Sequence, residues 1–79
     1  MSIQEAHIRI KLREAIEAHR ARTGTRLTYA ALAEATGLSE ATLQSLAARP
    51  EYNPRLSTIA RLCAALDCAP GDLLELRRE

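Results

Sequence analysis

Apolar side chains recur at intervals of three and four residues through most of this chain, and in strict alternation near its two ends. The first helical stretch runs from about Leu12 to Arg22, with Leu12, Ala15, Ile16 and His19 on one face and Arg13, Glu17 and Arg20 opposite. Gly24 is placed to close it in a left-handed cap. A second stretch opens at Thr28, a good N-cap, with Leu27 before it and Leu32 inside. Those two leucines form a hydrophobic staple that sets the entry angle. It ends at Thr36, and Gly37 supplies the positive φ that terminates it. A third repeats the device: Ser39 caps, and Leu38 staples to Leu43. Pro50 stops it, and "PEYNP" is a loop. Ser57 is the expected cap of a fourth helix reaching Leu66, whose Ile59, Leu62, Cys63 and Leu66 face inward. Pro70 suits the first position of a short fifth helix, with Asp72 near its positive end and Leu73 and Leu74 packing inward.

The ends read differently. "HIRIKL" sets Ile8, Ile10 and Leu12 in alternation with charged residues, and "LLELRR" does the same with Leu74 and Leu76. A period of two favours a short N-terminal strand. The two runs then pair within one chain or across a dimer; the other reading starts the first helix early, at Ile8.

Composition agrees with helices. Ala, Leu and Ile supply the apolar content, there is no Trp or Phe, and Tyr occurs twice. A chain of 79 residues is expected to form one domain, 1–79, with a modest core. No apolar run approaches the roughly 20 residues that span a bilayer. Gln4, Glu5, His7, Arg9 and Lys11 interrupt any secretory signal, so a cytoplasmic protein is expected. Cys63 and Cys68, five apart, read as small buried hydrophobes. A metal site combining them with His7 and His19 matches no standard zinc spacing. Asp67, Asp72, His7 and His19 are scattered, so neither an enzyme nor a cofactor is expected. Eleven basic against ten acidic residues leave a formal charge of +1, so any case for nucleic acid rests on where the charges sit.

Two short helices joined by a tight turn containing glycine make a helix-turn-helix, here residues 28–48. Ala33 is small enough for a steep crossing, and Leu32, Leu38, Leu43 and Leu46 close the corner from inside. With Leu32, Ala33, Gly37, Leu38, Leu43 and Leu46 at these spacings, the sequence resembles the Cro and lambda-repressor family, the XRE type. Downstream, "LSTIARLCAALDCAPGDLLEL" is similar to that family's fourth and fifth helices, so the likeness covers about Leu12 to Leu76. The resemblance implies an all-α, five-helix lambda-repressor-like bundle, with or without short terminal β-strands. Its third helix would enter the DNA major groove, commonly in a homodimer, in a nucleoid-associated repressor of transcription.

With Leu43, Leu46 and Ala47 inward, the third helix turns Ser39, Glu40, Ala41, Gln44, Ser45 and Ala48 outward. Gln pairs with adenine, Ser donates or accepts, Ala touches a thymine methyl and Glu accepts from cytosine. The resemblance puts Glu40, Ala41 and Ser45 at base-facing positions, with Ser39 and Gln44 flanking. Phosphate contacts are expected from Arg26, Thr28 and Tyr29 at the positive start of the second helix, and from Arg49 and Arg55 beyond the third. Arg20 and Arg22 are expected near the same edge. Glu40 departs from this pattern because it repels phosphate, and no Lys or Arg precedes Arg49 on the outward face, so either modest affinity or an AT-leaning site is expected. The competing reading is a protein-binding adaptor or antirepressor that keeps the fold.

Overall fold

A computed structural model describes residues 6–49 and 52–78. The order is β1 (Ala6–Ile10), α1 (Leu12–Thr23), α2 (Tyr29–Thr36), α3 (Glu40–Ala48), α4 (Leu56–Leu66), α5 (Pro70–Leu73) and β2 (Leu74–Arg78). The stop assigned to Pro50, the loop residue Glu51, and Gln4 and Glu5 lie outside the described residues.

The fold is mostly helical but not all-α. β1 and β2 pair antiparallel within the chain, in the register Ala6↔Arg78 through Ile10↔Leu74. Ile8 therefore belongs to a strand and does not start α1. The ladder continues one step past the strands, where Lys11 N–H donates to Leu73 O at 2.7 Å. Leu12 then leaves the alternation and turns into the core as the first residue of α1. Arg9 Nη2 donates to Glu14 Oε2 at 3.0 Å and ties the ribbon to the first turn of that helix. A backbone hydrogen bond, and then Arg9, hold the Glu14 carboxyl below its ordinary pKa.

The core sits where the helices meet. Leu12, Leu32, Leu43, Leu46, Leu62, Leu66 and Leu73 are fully buried, and each contributes about 1.5–3 kcal/mol by leaving water. Leu27, Ala33, Leu38 and Leu74 pack against this cluster while remaining partly exposed.

Most of the local signals are obeyed. Gly24 and Gly37 take φ of 76° and 77°, Thr28 and Ser39 cap α2 and α3, and Pro70 opens α5. Asp72 accepts from the Ala69 N–H at 3.0 Å. Ser57 is the exception. Arg55 occupies the N-cap of α4 without a side-chain bond, and its carbonyl accepts from Thr58 and Ile59. The extended cap conformation falls on Arg55, directly after Pro54 and two residues before the expected serine cap, so Ser57 lies inside the first turn.

The turn between α2 and α3 has a polar pin that the apolar pattern does not display. Buried Thr36 donates through Oγ1 to Leu32 O at 2.7 Å and accepts from Leu38 N–H at 3.2 Å. Gly37 N–H donates to Ala33 O at 2.8 Å. A Cβ at Gly37 would meet only Arg61 Nη1, at 3.9 Å, so a larger residue is opposed by backbone conformation and not by space. Gly37→Ala is accordingly expected to lower stability by about 1–2 kcal/mol in urea unfolding. Gly71→Ala, at a negative φ with nothing within 4 Å, should leave stability unchanged or raise it.

Candidate nucleic-acid interface

Two helix starts define the surface. At α2, Thr28 Oγ1 accepts from Ala31 N–H at 3.1 Å, which fixes the cap. Beside it, Arg13, Ile16, Glu17, Arg26, Leu27, Thr28 and Tyr29 line an open cleft of about 490 Å³. Arg26 is exposed, while Tyr29 packs partly on the core and presents only part of its ring. The cleft brings in Arg13, which the sequence pattern assigns merely to the outer face of α1. Among the described residues neither Arg13 nor Arg26 is in an ion pair. The free N–H groups and dipole of α2 add partial positive charge there.

At α3, Leu43 and Leu46 are fully buried, and Glu40, Ala41, Gln44 and Ala48 stand in solvent on the opposite side. Ser39 Oγ accepts from Thr42 N–H at 3.1 Å and lies 2.9 Å from Thr42 Oγ1. Its oxygen is thus engaged in holding the helix start. Ser45 is half-buried, not fully outward as the helical spacing suggests. Glu40 is exposed in the first turn, where its charge complements the helix dipole.

The arginines divide by what they already hold. Arg49 ends α3, with its guanidinium 5.0 Å from the centre of the Tyr52 ring. That contact leaves the guanidinium edge open and limits its rotamers. Arg55 is exposed at the start of α4. Arg22 is committed elsewhere: it donates to Leu66 O at 2.9 Å and to Asp67 O at 3.2 Å, satisfying carbonyls at the end of α4. Arg20 is paired with Glu17 at 2.8 Å. Of the two, Arg22 is therefore engaged within the fold, and Arg20 is in an exposed ion pair on the surface of α1. Arg61, which the sequence reading passes over, reaches the α2–α3 turn from α4. The spacing of Ile59, Leu62, Cys63 and Leu66 turns Arg61 outward, but only the packing of α2 on α4 sets it against that turn.

Comparison with known proteins gives a consistent answer. Residues 11–79 match the family model of the Cro/C1-type HTH DNA-binding domain. The chain is 37% identical over 54 residues to the uncharacterized HTH-type transcriptional regulator YozG of Bacillus subtilis. That match covers 68% of this chain and 64% of the relative. No solved structure matches significantly. No helix among the described residues is long and apolar enough to cross a membrane.

The two thiols are free, Cys63 buried and Cys68 half-buried. Among the described residues no three His, Cys, Asp or Glu side chains gather as metal ligands. Burial, and then the neighbouring Cys63, push the Cys68 thiol up to about 11. Its thiolate appears only as pH rises through that value, and near pH 8 its thiolate fraction is on the order of a hundredfold below that of an ordinary cysteine. Iodoacetamide labelling of Cys68, followed by mass spectrometry, should still climb about tenfold per pH unit between pH 9 and 10. A rate already level by pH 9 would contradict this burial.

Proposed function

The chain belongs to the Cro/C1-type HTH DNA-binding domain family, and from that premise we propose that it is a repressor-like transcriptional regulator that reads double-stranded DNA with α3 in the major groove. One observation carries the reading: α3 is anchored by fully buried Leu43 and Leu46 and presents Glu40, Ala41 and Gln44 to solvent as short, groove-compatible side chains. Gln44 suits adenine, Ala41 a thymine methyl and Glu40 a cytosine amino group. Ser45 and Ser39 contribute from the flanks, Ser45 with its exposed edge and Ser39 while capping.

Phosphates are held at two ends of this helix pair. Arg26, Thr28 and Tyr29 serve the positive start of α2, joined by Arg13 in the same cleft. Arg49 and Arg55 serve the far end of α3, and Arg61 the turn. Such contacts set affinity and register without reading sequence. The proposal takes residues 1–79 as one DNA-binding domain with its helix-turn-helix at 28–48, acting in the cytoplasm at the nucleoid as a homodimer. A two-fold dimer places recognition helices about 34 Å apart and calls for a palindromic site.

The adaptor reading draws on one observation, that Glu40 is exposed and without an ion pair among the described residues at the tip of α3. Selection from a random duplex pool at moderate salt separates the two readings. An enriched palindrome supports the regulator, whereas an unenriched pool with no salt-dependent duplex binding supports the adaptor. Within the regulator reading, Gln44→Ala combined with Ser45→Ala should erase sequence preference and keep non-specific affinity. Arg49→Ala should weaken every duplex and reduce the salt slope by about one.

A further inference from the structure

Of Arg13, Arg26, Arg49, Arg55 and Arg61, only Arg49 lies over an aromatic ring among the described residues. Its guanidinium carbon is 5.0 Å from the centre of the Tyr52 ring, and Tyr52 N–H donates to Arg49 O at 2.9 Å. The two residues are joined through both backbone and side chain. Arg49 N–H in turn donates to Ser45 O at 2.8 Å, which ties the pair to the last turn of α3.

The kind of tether matters. Arg20 lies against Glu17, and Arg9 between Glu14 and Glu75, so both are held by carboxylates that offset their charge. Arg49 is in no ion pair among the described residues. An aromatic face attracts a cation through its quadrupole and leaves the in-plane N–H donors of the guanidinium available. Arg49 therefore keeps its full positive charge while its long stem is confined. An unheld arginine loses rotamer freedom when it meets a partner, and confinement beforehand removes part of that cost.

The ring is itself braced. Tyr52 lines a cleft of about 350 Å³ with Ile8, Ile10 and Leu74 of the ribbon and Leu56 and Ile59 of α4. It is 40% exposed, so it reaches from that apolar wall to the surface, where Arg49 lies over it. Tyr52 belongs neither to the buried core nor to the outward face of α3.

We infer that Tyr52 is the positioning residue for the phosphate contact of Arg49: its ring, braced by the ribbon and α4, presents the guanidinium to the DNA backbone beyond α3 without neutralising it. This role rests on the regulator reading and gives Tyr52 no part in reading bases.

Two readouts on the full chain test it. Without DNA, the Tyr52 ring current should shift the Arg49 Hδ and Hε proton resonances upfield; Tyr52→Phe should keep the shift and Tyr52→Leu remove it. With a random-sequence duplex pool at moderate salt, Tyr52→Leu should weaken binding about two- to fivefold, and Tyr52→Phe should bind like the wild type. Tyr52→Leu should keep the wild-type salt slope because the charge of Arg49 remains, in contrast to Arg49→Ala. In an Arg49→Ala background, Tyr52→Leu should have no further effect on binding, a coupling that general loosening of the fold does not produce. Equal affinity of Tyr52→Leu and the wild type overturns the inference. So does an equal loss in Tyr52→Phe, which makes the hydroxyl the contacting group, or a loss that persists in the Arg49→Ala background. In each of those cases the wild type still binds duplex, so the regulator reading stands. A wild type that binds no duplex removes that reading, and this role with it, whatever the resonances show.

Discussion

Neither α2, with eight residues, nor α3, with nine, is long enough to persist alone in water. Their existence depends on burying Leu32, Leu43 and Leu46 across a turn that leaves no slack. Thr36 makes the turn affordable in hydrogen-bond terms, since its hydroxyl serves both the end of α2 and the amide of Leu38. Gly37 then lets the backbone reverse without strain. The exposed face of α3 is a by-product of this constraint: with both leucines fixed inward, Glu40, Ala41 and Gln44 have nowhere to go but solvent.

The same packing decides how charge is used on a protein of formal charge +1. Arg22 satisfies carbonyls at the end of α4, next to Asp67 in its left-handed conformation, and Arg20 is held by Glu17. Arg9 bridges Glu14 and Glu75 and joins the ribbon to α1. Five of the remaining cations lie around the helix pair. Arg13 and Arg26 share the cleft at the start of α2, Arg61 lies by the turn, and Arg49 and Arg55 follow α3. A near-neutral chain can therefore offer local positive surface without a basic excess.

The ribbon supplies a second lesson about economy in a small fold. Ile10 closes the core at the base of the ribbon, whereas Ile8 and Leu76 further along it stay half exposed. A short β extension thus finishes the hydrophobic core at one end and carries an unfinished apolar face and an open edge at the other.

What the amino-acid sequence determined by itself was whatever depends on neighbours within about four residues. Thr28, Gly37, Ser39 and Pro70 mark helix ends because caps, staples and left-handed turns are local interactions, and the outward residues of α3 follow from its period. Alternation at both ends displayed strand character for the same reason. Only the tertiary structure decided that those ends pair with each other in one chain, since register between residues at opposite ends is set by the core that brings them together. It also decided that Arg55 and not Ser57 caps α4, that Arg22 is taken and Arg61 placed at the turn, and that Ser45 is partly covered. Helical periodicity states which way a side chain points; what it meets there depends on how the helices pack.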